Sequence, residues 1–586
     1  MSDTDKIKKD FREFLENHPK MDKEKPAPKD MYVNLLSSEG ALDINLRELH
    51  IPGFTTSYEA LNAALWANVI RPIYNYIYRP DGGKKPMDSV GTFWNHYAAI
   101  NKFIEFLKKE EGITTELDLT DSKLKAPILK DFEGTKKIDI SHSVHFWNYF
   151  TAIRTKPFLL LAGISGTGKS RIVRELAFKS CPPYLRDREG TTPGNYCMIE
   201  VKPNWHDSTE VLGYYSNLNE SYQFTKFVRF LVKAKMFPDV PFFLCLDEMN
   251  LAPVEQYFAE ILSILETRKH PKKEDGTIDM EHIHTGVIVE SKYFQEDINP
   301  GLKKFVNPTT GESYSKTKGL TDWEIYLALD KPTKEEIDKQ SRAVTDEIKN
   351  SKSLSEHGLT LPDNVIIIGT VNMDDTTHQF SRKVIDRAMT IEMNGGNLKS
   401  MFGGSKKLEY IDDKEVQEKW QHSFKQPFVN ADEVIEAFPE YAEEIIEKLP
   451  ERLDVINQAL KGTPFEVSYR VLNELTVMVG VMLENKTESQ SFDDILNEAL
   501  NNILLMKILP RIEGDADMFN LKDGNKSRLD LLLEISPEIE PAKEESSEED
   551  SDEEKTPKQE VRQTAKDKIQ EMIERLRNQE FTRFWP

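Results

Sequence analysis

The chain has 586 residues, of which 38% are hydrophobic and 30% are charged, and it carries a formal net charge of −23. This length predicts about two to four domains, because one hydrophobic core rarely serves more than about 300 residues. The acidic balance argues against a protein that coats nucleic acid through its overall charge, and no apolar run approaches the roughly 20 residues that cross a bilayer.

The first 141 residues predict a separate, mainly helical domain. Apolar side chains recur at helical spacing over residues 58–78 and again over residues 93–107. Aromatic residues such as Trp66 and Trp94 could stack on an unpaired base, but the same spacing also places them in a helical core. The N-terminus has no signal-peptide pattern, so we expect a cytoplasmic protein.

A glycine-rich loop follows the apolar run Phe158–Ala162, which predicts a buried strand. The loop reads Gly-Ile-Ser-Gly-Thr-Gly-Lys-Ser over residues 163–170, which fits the phosphate-binding pattern G-x-x-x-x-G-K-[ST], and a helix is predicted directly after it. Backbone N–H groups can close around phosphates there, while Lys169 reaches the β- and γ-phosphates and Ser170 binds Mg²⁺. The residues predicted to bind the nucleotide are Gly163, Gly166, Thr167, Gly168, Lys169 and Ser170.

Two carboxylates end a second apolar run. Residues 240–246 predict a buried strand, and Asp247 and Glu248 follow it. Asp247 would join Ser170 in holding the metal. Glu248 would orient and deprotonate the attacking water.

A long stretch, residues 269–362, separates this strand from the next one. It is too long for a simple loop and predicts an insertion with its own structure. Asp279, Glu290 and Lys292 superficially match the acid-x-Lys pattern of metal-dependent nucleases. That pattern is short, and a working site also needs supporting strands and a second ligand.

A third apolar run, residues 364–371, places Asn372 at its end. Ligands of parallel sheets bind beyond the carboxyl ends of the strands. Asn372 could therefore reach the γ-phosphate or the attacking water.

Three segments together resemble the McrB family, the AAA+ NTPases of the dynein-related branch that power modification-dependent restriction. They are Lys202–Tyr215 (KPNWHDSTEVLGYY), Leu246–Phe258 (LDEMNLAPVEQYF) and Gly369–Asp375 (GTVNMDD). The resemblance covers roughly residues 158–514. It implies an α/β AAA+ core with a parallel sheet over residues 142–400 and a helical lid over residues 401–535.

The resemblance also implies further site residues. A neighbouring subunit of an AAA+ ring supplies an arginine finger, for which Arg387 is the first candidate and Arg382 the second. Either arginine could instead simply pair with Asp386 or another acid. Arg470 resembles the second-sensor arginine of the lid, which would touch the γ-phosphate of its own subunit.

The third segment departs from the family signature. The signature reads Met-Asn-Thr-Ala-Asp, whereas this chain has Val371-Asn372-Met373-Asp374-Asp375 and keeps only the Asn and the last Asp. Asp375 is thus expected to belong to the nucleotide site. The departure leaves the choice between ATP and GTP open.

The acidic run over residues 544–554 has no apolar residue and predicts a disordered linker over residues 536–566. An amphipathic helix and an aromatic tail follow over residues 567–586. This segment could dock onto the chain's own motor or onto a partner.

The three cysteines, Cys181, Cys197 and Cys245, have neither disulfide nor zinc spacing. Mg²⁺ is therefore the only metal that the residues predict, and ATP or GTP is the expected substrate.

The resemblance implies a ring motor, expected to be a homo-hexamer, in an McrBC-like restriction or antiviral system. Its partners would be a separate McrC-like nuclease subunit and DNA, with no membrane involved. A protein-remodelling ATPase like MoxR or midasin, with no nucleic-acid role, is the alternative. A third possible function is a self-contained nuclease whose active site lies in the insertion.

Overall fold

The computed structural model describes residues 144–187, 189–271, 282–295, 299–311, 313, 319–373, 380–393, 408–487, 489–519, 526–539 and 563–585, together with scattered residues among the first 138. The chain forms two compact units, Met1–Ile138 and Asp139–Pro586. Nearly all described residues of the first unit are helical, and Phe11 packs against Phe103 with ring centroids 5.1 Å apart. The predicted helix over 58–78 lies outside the described residues.

A parallel sheet of five strands forms the centre of the second unit, in the order β2-β5-β8-β1-β9. The strands read as nearly continuous apolar runs, and all six residues of β1 are buried, as expected for a parallel sheet that is covered on both faces. The five strands are β1 (Phe158–Gly163), β2 (Tyr196–Glu200), β5 (Phe242–Asp247), β8 (Val365–Asn372) and β9 (Met389–Glu392). The predicted α/β fold with a parallel sheet is confirmed.

Helices and a short hairpin surround this sheet. The helices up to β5 are α1 (Val144–Thr155), α2 (Lys169–Ser180), α3 (Thr209–Leu212) and α4 (Lys226–Met236). The helices after β5 are α5 (Val254–Tyr257) and α6 (Ala259–Leu265), and α12 (Arg382–Ile385) precedes β9. One antiparallel hairpin joins β3 (Tyr214–Ser216) to β4 (Ser221–Gln223).

The stretch between β5 and β8 has its own elements. Its helices are α7 (Pro300–Lys303), α8 (Asp322–Asp330), α9 (Lys334–Ala343), α10 (Asp346–Asn350) and α11 (Ser353–His357). Strand β6 (Val287–Val289) pairs antiparallel with β7 (Leu359–Thr360). Capping boxes at Thr321 and Thr333 start α8 and α9, because each threonine satisfies a free backbone N–H while the glutamate three residues on satisfies the threonine's own.

Helices continue after the sheet. They are α13 (Lys414–His422), α14 (Ala431–Ala437), α15 (Ala442–Leu460), α16 (Tyr469–Leu483), α17 (Phe492–Ile503) and α18 (Arg528–Ile535). Helix α16 is the most buried of those with 15 residues, with eleven buried positions, and it packs against α1, α14, α15 and α17. A π-helical turn, Leu504–Ile508, extends α17.

The C-terminal segment packs back onto these helices. Helix α19 (Ala565–Gln579) is capped by Thr564 and buries Ile569, Met572 and Leu576. Strand β11 (Phe581–Arg583) then pairs antiparallel with β10 (Glu513–Asp515). The helix begins two residues before the predicted position, because Thr564 and Asp567 form a capping box. None of the helices that the structure describes combines the length and the apolar character needed to cross a membrane.

Candidate nucleotide-binding site

The glycine-rich loop leaves β1 at its carboxyl end and has a backbone that requires glycine. Gly168 has φ 83° and caps the N-terminus of α2, a conformation that side chains with a Cβ avoid. Gly163 lies so close to the neighbouring chain that an added Cβ would stand 2.3 Å from the carbonyl oxygen of Met393. The loop is therefore seated tightly between β1 and the residue that follows β9.

Lys169 begins α2 and is 7% exposed. Its Nζ donates to the carbonyl oxygens of Gly163 over 3.0 Å and Ile164 over 2.7 Å. Thr167 Oγ1 also donates to the Ile164 carbonyl, over 3.1 Å. The lysine's charge thus lies within the loop that is predicted to bind phosphates.

The two predicted metal ligands are in direct contact. Ser170 Oγ donates to Asp247 Oδ1 over 2.6 Å, across the gap between α2 and β5. Thr370 Oγ1 donates to the same carboxylate oxygen over 2.8 Å. A hydroxyl and a carboxylate side by side form the hard oxygen donor set that Mg²⁺ prefers, so these residues fit the ion.

Glu248 and Asn372 are also paired. Asn372 Nδ2 donates to Glu248 Oε1 over 2.8 Å, and the backbone N–H of Glu248 donates to Thr370 Oγ1 over 2.9 Å. Glu248 is exposed and has φ 52°, a left-handed conformation that is uncommon outside glycine. The carboxylate is therefore open to water and held in place by the next strand.

The order of the strands explains why these side chains meet. Strand β8 lies between β1 and β5, with Gly163 opposite Asn372 and Leu246 opposite Gly369. The ends of all three motif strands thus share one edge of the sheet. Asp375 lies outside the described residues.

The arginines predicted to act on phosphate lie elsewhere. Arg470 Nη2 is 3.0 Å from Glu266 Oε2, and Arg387 Nε is 4.0 Å from Glu266 Oε1. Glu266 Oε1 also accepts from Lys156 Nζ over 3.3 Å. Arg382 lies apart from this group, with its guanidinium 4.9 Å from the centre of the Phe465 ring.

The cluster of Glu266 with Lys156, Arg387 and Arg470 lies at the edge of the sheet opposite the glycine-rich loop. Lys156 comes just before β1, and Arg387 comes just before β9, whose first residue, Met389, pairs with Leu159. The structure therefore does not bring Arg470 to the phosphate loop of its own chain. Glu266 holds the Arg470 guanidinium at the amino-terminal edge, and the contact of Arg470 with a γ-phosphate stays a prediction.

The nuclease-like pattern in the insertion lies on the surface. Lys292 Nζ is 2.6 Å from Glu290 Oε2, and their side chains are 47% and 65% exposed. Asp279 lies outside the described residues. Within the part of the chain that the structure describes, no group of three or more His, Cys, Asp or Glu side chains could hold a metal ion.

Sequence reasoning missed Thr370, although a signal was present. Residues two apart on a strand share a face, so Thr370 faces the same way as Asn372. Sequence reasoning also missed Glu266, because the residues that contact it lie far away in the sequence.

Comparisons with known proteins add little to this geometry. Residues 416–581 match a family model described as "Domain of unknown function (DUF8727)", and no curated protein matches the chain. A solved structure described as a "putative ATPase" from Cytophaga hutchinsonii is similar at 12% identity, covering 64% of this chain and 85% of that one, with a TM-score of 0.28. A TM-score this low leaves the function to be judged from the site itself.

Proposed function

We propose that the protein is a Mg²⁺-dependent nucleoside-triphosphate hydrolase of the AAA+ type. The observation that carries the proposal is the convergence of three motifs at one sheet edge. Lys169 lies in the loop, Ser170 contacts Asp247, and Asn372 holds Glu248. A phosphate-binding loop, a metal-binding pair and an exposed base are the parts that phosphoryl transfer to water requires.

Each residue has a separate role in the proposed mechanism. Backbone N–H groups of the loop and the N-terminus of α2 bind the phosphates, and Lys169 contacts the β- and γ-phosphates. Ser170 and Asp247 would hold Mg²⁺, which supplies charge neutralisation at the phosphates. Glu248 orients the attacking water and accepts its proton, while Asn372 fixes the direction of the Glu248 carboxylate.

Phosphate release from ATP and from GTP tests this proposal. We expect Mg²⁺-dependent release that EDTA stops, and a loss of nucleotide affinity in Lys169→Ala. Lys339→Ala, an exposed lysine on α9 with 51% of its side chain accessible, is the matched control and should behave like wild type. Hydrolysis by Lys169→Ala at the wild-type rate would contradict the proposal. Comparison of the rates of phosphate release from ATP and from GTP shows which base the site prefers.

We further propose that the site is completed by a neighbouring subunit in a ring, expected to be a hexamer. Arg387 lies at the sheet edge opposite its own phosphate loop, so in the proposed ring it would serve the site of another copy. Nucleotide should then drive association by mass action. Light scattering with a non-hydrolysable triphosphate should show assembly, and a strictly monomeric, fully active protein would argue against a ring.

The finer proposal is a motor subunit of an McrBC-like restriction or antiviral system that acts with a separate nuclease. The resemblance of the segments Lys202–Tyr215, Leu246–Phe258 and Gly369–Asp375 supports it. Hydrolysis stimulated by DNA is the expected result. Stimulation by a protein client alone would favour a MoxR-like or midasin-like role instead, and DNA cleavage by the isolated chain would favour the nuclease in the insertion.

A further inference from the structure

A buried carboxylate on helix α16 connects this helix to the chain just before β1 and, through Lys507, to the chain just before β9. Glu474 of α16 is 4% exposed and contacts Lys156 Nζ over 2.7 Å and Lys507 Nζ over 2.9 Å. Lys156 and Lys507 are 8% and 0% exposed. Lys156 has a second carboxylate partner, Glu266 Oε1, over 3.3 Å. A lysine ammonium has three N–H donors, so Lys507 needs acceptors besides Glu474.

Lys507 finds those acceptors on both sides of Arg387. Its Nζ donates to the backbone carbonyl of Asp386 over 2.6 Å and to that of Ala388 over 3.1 Å. Arg511 Nε also lies 3.1 Å from Asp386 Oδ1. The backbone that carries Arg387 is thus tied down immediately before and immediately after this residue.

The local structure at Lys507 is unusual. The lysine lies in the π-helical turn Leu504–Ile508 that extends α17, and π-turns within helices are frequent at functional positions. Burial lowers the pKa of Lys507 to about 8, and the Glu474 carboxylate opposes that shift. In its ammonium form, Lys507 donates strong, charge-assisted hydrogen bonds to carbonyl oxygens.

We propose that Lys507 is a positioning residue that fixes the backbone at Arg387 and so directs the Arg387 guanidinium toward the site of a neighbouring subunit. The inference rests on the proposed function, since it requires Arg387 to act across a subunit boundary. Lys507 itself touches no substrate. Its loss should lower turnover because a misplaced finger stabilises the transition state poorly.

Lys507→Met is the direct test. Methionine retains much of the length and apolar body of lysine, and Glu474 keeps Lys156 as its partner. We expect kcat to fall by about 10²-fold, while nucleotide affinity stays within a few-fold of wild type because the phosphate loop is untouched. Lys507→Gln retains a side-chain donor for the two carbonyls, so its kcat should lie between those of Lys507→Met and wild type. This variant replaces Lys507→Met in the test if the methionine variant does not fold.

Mixing of inactive variants distinguishes positioning from general damage. Glu248→Gln mixed with Arg387→Ala should regain activity at interfaces that combine an intact Glu248 with a neighbour's intact Arg387. If these two variants form mixed rings but recover no hydrolysis, the active site is not shared between subunits. The proposed role of Lys507 then loses its basis. Where this pair succeeds, Lys507→Met should regain activity when it is mixed with Glu248→Gln. It should not regain activity with Arg387→Ala, because Lys507→Met and Arg387→Ala damage the same half of an interface.

A matched control comes from another buried lysine. Lys568 is 1% exposed and paired with a buried carboxylate, Glu392. If Lys568→Met lowers turnover, it should regain activity with Arg387→Ala, since it leaves the finger intact. Three results would overturn the positioning role of Lys507. They are wild-type turnover in Lys507→Met, recovery of Lys507→Met when it is mixed with Arg387→Ala, and recovery of Lys507→Met with neither partner variant.

Discussion

Asn372 donates its side-chain amide hydrogen bond to Glu248 over 2.8 Å, and Glu248 accepts it from a left-handed backbone with φ 52°. A non-glycine residue keeps that conformation only where the surroundings hold it. Here Thr370 holds the backbone N–H and Asn372 holds the carboxylate, both from β8. The direction of the proposed base is therefore set by the strand beside it.

Asn372→Ala should lower kcat by up to about 10²-fold, because the Glu248 carboxylate loses the group that orients it. KM should change little, since the phosphate loop is intact. Steady-state phosphate release over a range of nucleotide concentrations separates the two constants. Asn217→Ala, in the exposed turn of the β3–β4 hairpin, is the control. A purely higher KM would show that Asn372 binds the ground state.

Glu248→Gln should nearly abolish hydrolysis while leaving nucleotide binding intact. Glutamine still accepts the hydrogen bond from Asn372 but cannot take a proton from water, and general base catalysis contributes about 10²–10⁴-fold. Binding of a fluorescent nucleotide measures affinity, and single-turnover hydrolysis measures chemistry. Turnover within a few-fold of wild type would remove Glu248 from the role of base.

Thr370→Val should weaken the use of Mg²⁺. Valine has nearly the same shape, but it removes the hydroxyl that donates to Asp247 and accepts from the Glu248 N–H. Loss of a hydrogen bond to a metal ligand weakens metal binding by about tenfold or more, so the Mg²⁺ concentration for half-maximal hydrolysis should rise. Thr370→Ser keeps the hydroxyl and should remain close to wild type. An unchanged Mg²⁺ dependence in Thr370→Val would show that Asp247 needs no such support.

The motif strands were predictable because their signals are local. An apolar run followed by a glycine loop or by Asp247 and Glu248 can be identified without knowing the rest of the chain. A parallel sheet brings such strand ends together whatever the details of packing. The pairing of Ser170 with Asp247 and of Asn372 with Glu248 follows from that rule.

The position of Arg470 was not predictable in the same way. Its partner Glu266 lies about two hundred residues away in sequence, at the C-cap of α6. Their contact depends on how α16 packs against the sheet and its helices. Periodicity shows which face of α16 is buried but not which element covers it. For the same reason, the sequence does not show that α19 docks onto β9, since Lys568 and Glu392 are 176 residues apart.

Lys568→Met should destabilise the protein by about 3–5 kcal/mol, because it leaves the Glu392 carboxylate buried without a partner. The side chains of Lys568 and Glu392 are 1% and 6% exposed. The double variant Lys568→Met with Glu392→Met removes both charges and should recover most of the loss. Denaturant unfolding of the wild type and of the single and double variants measures the coupling. Equal loss in the single and double variants would show that packing, not charge, holds α19.

This destabilisation should also depend on pH. Burial raises the pKa of Glu392 even in the presence of Lys568, and removal of the lysine raises it further. A carboxyl whose folded pKa lies above its unfolded value binds more protons when folded, so its folded state gains stability as pH falls through that pKa. The difference between wild type and Lys568→Met should therefore shrink at acidic pH, and a difference that grows would contradict this account.

The three cysteines should be unreactive in the folded protein and free in the unfolded one. Cys181 and Cys245 are fully buried and Cys197 is 5% exposed, and all three are free thiols. Burial raises the pKa of Cys181 and of Cys197 to about 11 and that of Cys245 higher still, so little thiolate forms at pH 8. An aromatic disulfide reagent should release almost no chromophore from the native protein and three equivalents per chain after denaturation. Rapid reaction of any of these cysteines under native conditions would show that the sheet opens locally around that residue.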